Sequence, residues 1–348
     1  WTDGGGACLA YSCQDSDGNG VPDKCDGSIG DGIHEVPSEY ATVQEAINAA
    51  GYGDTVLVAP GTYTGTGDWV INPLGKPITI RATGTPEETI IDGEGARRVV
   101  QCAGGEGADT IIEGFTITGG SASTGGGIRC YSYSSPTITG CTISDNTAYN
   151  SGGGISCSYY SSPTITDCTI TDNTADEGVG GGISCGYYSS PTITDCTITD
   201  NTATYGGGGI FCEDSSPTIT DCTITNNIVV GFSSEDPGVG GGIYCFYSSP
   251  TITDCTITDN TAYTGVGGGI YCYYSSPTLT DTVVCGNDSD QINGSWIDNG
   301  GNTVADECDP DSDGDGVPDG EDAFPDDPNE WADSDGDGVG DNEDTAPR

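Results

Sequence analysis

Hydrophobic positions in this chain recur in short runs of alternating apolar and polar residues. The clearest unit reads Gly-Gly-Gly-Ile-x-Cys, then Ser-Ser-Pro-Thr-Ile-Thr, then Cys-Thr-Ile-Thr-x-Asn, and its copies are about 27 residues apart. The first cysteine of each copy marks the period: Cys130, Cys157, Cys185, Cys212, Cys245 and Cys272. A repeat of this length predicts a solenoid whose rungs bury a continuous core only by stacking. Period-two alternation draws three strands in each rung, for example Gly154–Cys157, Thr164–Thr166 and Cys168–Thr171. It turns Ile155, Cys157, Ile165, Cys168 and Ile170 inward. Stacked rungs then carry columns of like residues. One is Ile138, Ile165, Ile193, Ile219, Ile252 and Leu279; another is Asn146, Asn173, Asn201, Asn227, Asn260 and Asn287. An asparagine column at a bend can link its amides up the stack.

Four segments follow from this pattern. Residues 1–30 are a Cys/Asp-rich loop segment, and residues 31–125 a capping helix with irregular leading rungs. Residues 126–305 are regular rungs with a closing rung, and residues 306–348 an acidic tail without hydrophobic periodicity. In the second segment Val43, Ala46, Ile47 and Ala50 share one helical face, with Thr42 as N-cap and Gly51 as the stop. Such a helix would cover the open end of the stack.

Val36-Pro-Ser-Glu-Tyr-Ala-Thr-Val-Gln-Glu-Ala-Ile47 and Gly53-Asp-Thr-Val-Leu-Val-Ala-Pro-Gly-Thr-Tyr63 resemble the capping helix and first coil of the pectin-lyase-like right-handed parallel β-helix family. The resemblance spans residues 33–305 and implies an all-β, three-sheet right-handed parallel β-helix. It does not assign a function, because this fold carries lyases, hydrolases, adhesins and structural proteins alike.

Composition narrows the partners. Seven Lys+Arg stand against 54 Asp+Glu, a formal charge of -47, which repels nucleic acid and anionic membranes and attracts divalent cations. No apolar run is long enough to span a membrane. Seventeen cysteines, no Met and a start at Trp1 fit a processed, exported chain of prokaryotic type, secreted or held at the cell surface. Five rungs pair two inward cysteines: Cys130/Cys141, Cys157/Cys168, Cys185/Cys196, Cys212/Cys222 and Cys245/Cys255. Disulfides within each rung are the leading expectation. Two columns of buried thiols, or bonds between rungs, are the alternatives. Cys285 with Cys308 would tie the closing rung, and Cys13 with Cys25 the N-terminal loop.

The strongest chemical pattern is Asp-x-Asp-x-[Asp/Asn]-Gly-x-x-Asp-x-x-Asp, found at Asp15–Asp26, Asp311–Asp322 and Asp333–Asp344. Hard Ca²⁺ takes six to eight oxygens, and the sixth-position glycine permits the sharp turn. The expected ligands are Asp15, Asp17, Asn19, Val21 (carbonyl), Asp23 and Asp26 in the first loop. Asp311, Asp313, Asp315, Val317 (carbonyl), Asp319 and Asp322 serve the second, and Asp333, Asp335, Asp337, Val339 (carbonyl), Asp341 and Asp344 the third. These loops resemble thrombospondin type-3 and related bacterial calcium repeats.

Outward residues also form columns. Asp167, Asp195, Asp221, Asp254 and Asp281 read as a solvated acidic edge or a cation row. Tyr133, Tyr160, Tyr188, Tyr247 and Tyr274 form an interrupted aromatic stripe that could stack on sugars, meet another chain or cover the sheet. The Thr-x-Thr array from Thr137/Thr139 to Thr278/Thr280 resembles the flat face of ice-binding β-helices, although threonine is also an ordinary exposed strand residue. Asn287-Asp-Ser and Asn293-Gly-Ser match the N-glycosylation pattern. Regular rungs argue against catalysis, since a catalytic pair should break the repeat; no catalytic residue is assigned. The expected function is a secreted, calcium-binding β-helix with a structural or adhesive role. Its expected partners are itself, in a head-to-tail filament, and extracellular polysaccharide or a cell surface. The alternatives are a polysaccharide lyase or hydrolase and a glycan- or ice-binding module.

Overall fold

A computed structural model describes residues 32–232, 238–263, 265–308, 323–333 and 340. The chain divides into two compact units, Trp1–Val304 and Ala305–Arg348.

The first unit is an all-β parallel solenoid with about 27 residues per turn. Each regular rung visits four sheets. In one rung the strands are Ile155–Ser158 (sheet I), Thr164–Thr166 (sheet II), Thr169–Thr171 (sheet III) and Thr174–Ala175 (sheet IV). The three sheets expected from the alternation are present, with 9, 11 and 10 strands among the described residues, but the fourth corrects the three-sheet expectation. Sheet IV has 6 strands, several only two residues long, too short for alternation to reveal. Its inward side chains are small: Ala175, Ala203 and Val229 form a separate buried cluster.

Register is strict. Ile138, Ile165, Ile193, Ile219, Ile252 and Leu279 pair in turn up sheet II, and all are fully buried. The bend between sheets III and IV is held by the asparagine ladder. Asn173 donates its amide to Ile143 O (2.8 Å) and Asn201 Oδ1 (3.0 Å), and its Oδ1 accepts from the Asn146 backbone N–H (3.1 Å). Glycine is required opposite it: a Cβ on Gly154 would lie 2.7 Å from Gly182 O and 3.1 Å from the Asn173 side chain. Asn287 closes this ladder, buried and bonded through its amide to Ile257 O at 2.9 Å. Its glycosylation motif is therefore inaccessible in the folded chain, a correction to the sequence reading.

The cysteines also differ from the leading expectation. Among the described residues twelve are free and buried, in two columns. Cys130, Cys157, Cys185, Cys212, Cys245 and Cys272 stack in register inside sheet I. In the other column Cys168 Sγ donates to Thr166 O (3.2 Å) and Ile138 O (3.7 Å), and the neighbouring cysteines repeat this arrangement. Like stacks on like, so each thiol meets its own column rather than a partner across the rung. Cys285 and Cys308 are disulfide-bonded. Cys13 and Cys25 lie outside the described residues.

The single helix among the described residues, α1 (Val43–Ala49), has the predicted Thr42 N-cap within a capping box completed by Glu45. It buries Val43, Ala46 and Ile47. Lys76 Nζ donates to the carbonyls of Ile47, Asn48 and Ala50 and so caps its C-terminal end. In the second unit, residues 323–333 form a turn in which Asp327 N–H donates to Phe324 O (2.9 Å) and Ala323 N–H to Trp331 O (3.2 Å).

Candidate functional site

The predicted calcium loops lie outside the described residues, apart from Asp333, which is half-buried, and Gly340, which is buried. Among the described residues no group of three or more His, Cys, Asp or Glu side chains is arranged to hold a metal. The sole histidine, His34, hydrogen-bonds Asp54 (2.8 Å) and Tyr40 (3.2 Å) under the capping helix, so it is committed to structure.

The outward aspartate column proves to be a backbone feature. Asp167, Asp195, Asp221, Asp254 and Asp281 turn the chain from sheet II to sheet III at φ of 47 to 53°. Gly114 and Gly140 fill the same corner in earlier rungs, at φ of 80 and 58°. Aspartate is among the few residues that tolerate this left-handed conformation. The column needs no bound cation to account for it.

The corner between sheets I and II behaves differently. Tyr133, Tyr159, Tyr160, Tyr187, Tyr188, Tyr247 and Tyr274 all sit at φ between 48 and 65°. A residue with a bulky side chain is held there at a cost of about 1–2 kcal/mol each. Glycine would relieve that strain, and the chain uses glycine freely at its other corners. The ring is therefore what this corner retains. Tyr133 stacks on Tyr160 (centroids 5.3 Å apart, planes 5° apart) and Tyr160 on Tyr188 (5.4 Å, 19°). Further along, Tyr247 stacks on Tyr274 (5.1 Å, 5°). A second ladder runs beside the first, with Tyr159 on Tyr187 (4.7 Å) and Phe246 on Tyr273 (5.3 Å). The rings of the outer ladder are 51 to 72 % exposed.

Both ladders break at one rung, where Glu213 and Asp214 stand in place of rings. Glu213 pairs in register with Phe246, and Asp214 N–H donates to Phe246 O (3.2 Å), which places Asp214 in the column of Tyr188 and Tyr247. Burial, then the adjacent Asp214 carboxylate, pushes the Glu213 carboxyl above its ordinary value. Neither carboxylate has a hydrogen-bond or ion-pair partner among the described residues.

Beside the ladders, the outer surface of sheet I carries a groove of about 300 Å³. Its floor is the buried Ser156 and Ser184, and Tyr159 and Tyr187 wall one side. Glu213 and Phe211 bound one end and Arg129 the other. The Arg129 guanidinium lies 4.1 Å from the Tyr131 ring centroid, and its buried Nε has no hydrogen-bond partner among the described residues. Nearby Arg98 differs, with each of its three side-chain nitrogens donating a hydrogen bond, to Gly125 O, Gln101 Oε1 and Thr124 O. A surface with stacked exposed rings, a hydroxyl floor and isolated charges is suited to a long polar ligand with apolar faces.

The aromatic stripe was visible in the sequence; Glu213, Asp214 and Arg129 were not singled out. The available signal was the rung Cys212-Glu-Asp-Ser-Ser-Pro217, set against Cys185-Gly-Tyr-Tyr-Ser-Ser-Pro191 before it and Cys245-Phe-Tyr-Ser-Ser-Pro250 after it.

Residues 100–238 match the family model described as a right handed beta helix region, which gives the solenoid its hand. Residues 254–273 match the Chlamydia polymorphic membrane protein repeat. No curated protein matches the chain in sequence. Among solved structures, the chain is similar to pectate lyase Pel9A, with 15% identity, 80% of each chain covered and a TM-score of 0.51. It also matches an alginate lyase from Paenibacillus sp. str. FPU-7, with 17% identity, 76% of this chain and 94% of that one covered and a TM-score of 0.35. A rice weevil pectin methyl esterase matches with 15% identity, 87% and 86% coverage and a TM-score of 0.33. At 15% identity the likeness to the pectate lyase is one of fold alone. No helix among the described residues is long and apolar enough to cross a membrane.

Proposed function

We propose that this chain is an extracellular glycan-binding β-helix with an adhesive or structural role, which docks a polysaccharide along the tyrosine corner of sheets I and II. One observation carries the reading: exposed, stacked tyrosines occupy left-handed positions where glycine would be unstrained. A sugar ring presents an apolar face to such rings and its hydroxyls to the serine floor. Calcium bound by the Asp15–Asp26, Asp311–Asp322 and Asp333–Asp344 loops belongs to the same proposal, as the ion that organises the two terminal segments.

The test is a glycan array followed by calorimetry on the best binder. Replacing Tyr160 and Tyr188 with Ala should weaken binding by roughly tenfold or more, taking ~1 kcal/mol per aromatic contact. Thr197→Ala, on the exposed face of sheet III, should leave affinity unchanged. Equal affinity of the tyrosine variant and the parent would remove the proposal.

A second reading, a glycan-cleaving enzyme, draws on Glu213, a carboxyl with a raised pKa and no partner at the end of a groove. It predicts new chain ends when the bound polysaccharide is incubated with the protein, and their loss in Glu213→Gln.

A further inference from the structure

The rung that interrupts the tyrosine corner replaces its aromatic pair with two acids. Tyr187 and Tyr188 lie on one side of the break and Phe246 and Tyr247 on the other. Two rungs separate them, so the opening is ~10 Å along the stack. Glu213 and Asp214 line it. Beneath Glu213 is Gly186, where a Cβ would stand 3.8 Å from Glu213 Oε2, so any longer side chain there would cover the carboxylate. We propose that this opening is a subsite for a protonated amino group, and that the glycan on the ladder is a hexosamine polymer whose amino groups are free. The proposal rests on the glycan-binding reading of the tyrosine corner.

Five observations converge on it. The two carboxylates have no hydrogen-bond or ion-pair partner among the described residues, and Arg129, at the far end of the groove, is three rungs or ~14 Å away, too far to neutralise them. Burial disfavours the Glu213 charge, and a cation seated beside it would restore that charge. Aromatic rings on both sides add a cation–π attraction that an ammonium exploits, as the guanidinium of Arg129 already does on Tyr131. A divalent metal fits less well, since the described residues here offer only two carboxylates and no third ligand. Charge complementarity extends to the whole chain: at a formal net charge of -47 it repels an anionic polysaccharide and attracts a cationic one.

The experiment uses the full chain and two probes, a soluble β-1,4-linked glucosamine oligomer and the same oligomer fully N-acetylated, titrated at physiological salt. The free-amine oligomer should bind about tenfold more tightly. The double variant Glu213→Gln with Asp214→Asn should lose that preference and keep its affinity for the acetylated oligomer. Tyr188→Ala should weaken both. Equal affinity of the two oligomers for the parent, or a preference that survives the double variant, overturns the subsite and leaves the glycan-binding reading standing. Failure of both oligomers to bind while an unrelated glycan does would also overturn the subsite alone. Failure of every glycan removes both readings. A lysine-rich peptide of equal charge should compete poorly; competition as strong as that of the free-amine oligomer would reduce the effect to bare charge attraction and sink the proposal.

Discussion

At the scale of single residues, this chain spends conformational strain selectively. Aspartate at the corner between sheets II and III and tyrosine at the corner between sheets I and II adopt the same left-handed backbone. For aspartate the conformation is tolerable in itself, and the side chain explains nothing more. For tyrosine it is unfavourable, and what the ring supplies in return is the stacking along the ladder and an exposed aromatic face. Glu213 carries a second uncompensated term. Its carboxyl is raised by burial and then by Asp214, while Tyr244 on the next rung of sheet I adds no positive charge. The folded chain therefore holds that proton more tightly than the unfolded chain does. Below the ordinary carboxylate pKa both states are neutral and there is no penalty. As pH rises through it, the folded state alone resists ionisation and stability falls. Glu213→Gln should accordingly raise the thermal midpoint at neutral pH and leave it unchanged below pH ~4. A variant that is no more stable than the parent at neutral pH would show that Glu213 is already compensated.

At the scale of strands and columns, most of the order comes from repetition. The isoleucine and asparagine columns were legible because each rung restates them, and a residue that recurs at one place in a period must stack on itself. Sheet IV was not legible, because a two-residue strand leaves no alternation to read. The acidic pair escaped notice for a related reason: from Cys212 onward the turn after the cysteine is one residue shorter, which disguises the substitution of Glu-Asp for two rings. The aspartate columns were legible as columns but not as turns, since charge draws attention before backbone geometry does. The asparagine ladder is the element whose loss should be felt most. Asn173→Ala leaves the Asn146 N–H and the Ile143 carbonyl without their partners inside a dry bend. With each unsatisfied group costing about 1–3 kcal/mol, the urea midpoint should fall sharply, whereas Thr197→Ala should barely move it. The thiol columns make a different prediction. Cys245 is held well above the ordinary thiol range by its hydrogen bond to Cys272 and by burial, so it is poorly nucleophilic as well as inaccessible. A disulfide-exchange reagent should find twelve more reactive thiols in guanidinium than in buffer, without any reductant. Twelve thiols that appear only after reduction would restore the disulfide alternative.

At the scale of the whole molecule, the two parts of the sequence obey different physics. The solenoid is stabilised by stacking: its interior columns are apolar, thiol, amide or, from Ser134 to Ser275, hydroxyl, and its aspartate corners are accounted for by turns. The terminal loop sequences carry no such apolar periodicity. Their Asp-x-Asp-x-[Asp/Asn]-Gly pattern supplies oxygens in excess of any positive charge nearby, and seven Lys+Arg cannot offset 54 Asp+Glu. Like charges so dense oppose a compact arrangement unless a cation joins them. Chelation should therefore act on the ends alone. In calcium, limited proteolysis should spare residues 306–348; with chelator it should remove them, while the rungs between residues 126 and 305 keep their thermal midpoint. Restoring calcium, but not magnesium, should restore protection, because magnesium is smaller and gives up its water less readily. If the same ions also join one chain to the next, sedimentation in calcium should show species larger than those in chelator, and the two effects should share one calcium dependence. Proteolysis that ignores chelator would remove calcium from the function proposed here, and the case for the tyrosine corner would be untouched.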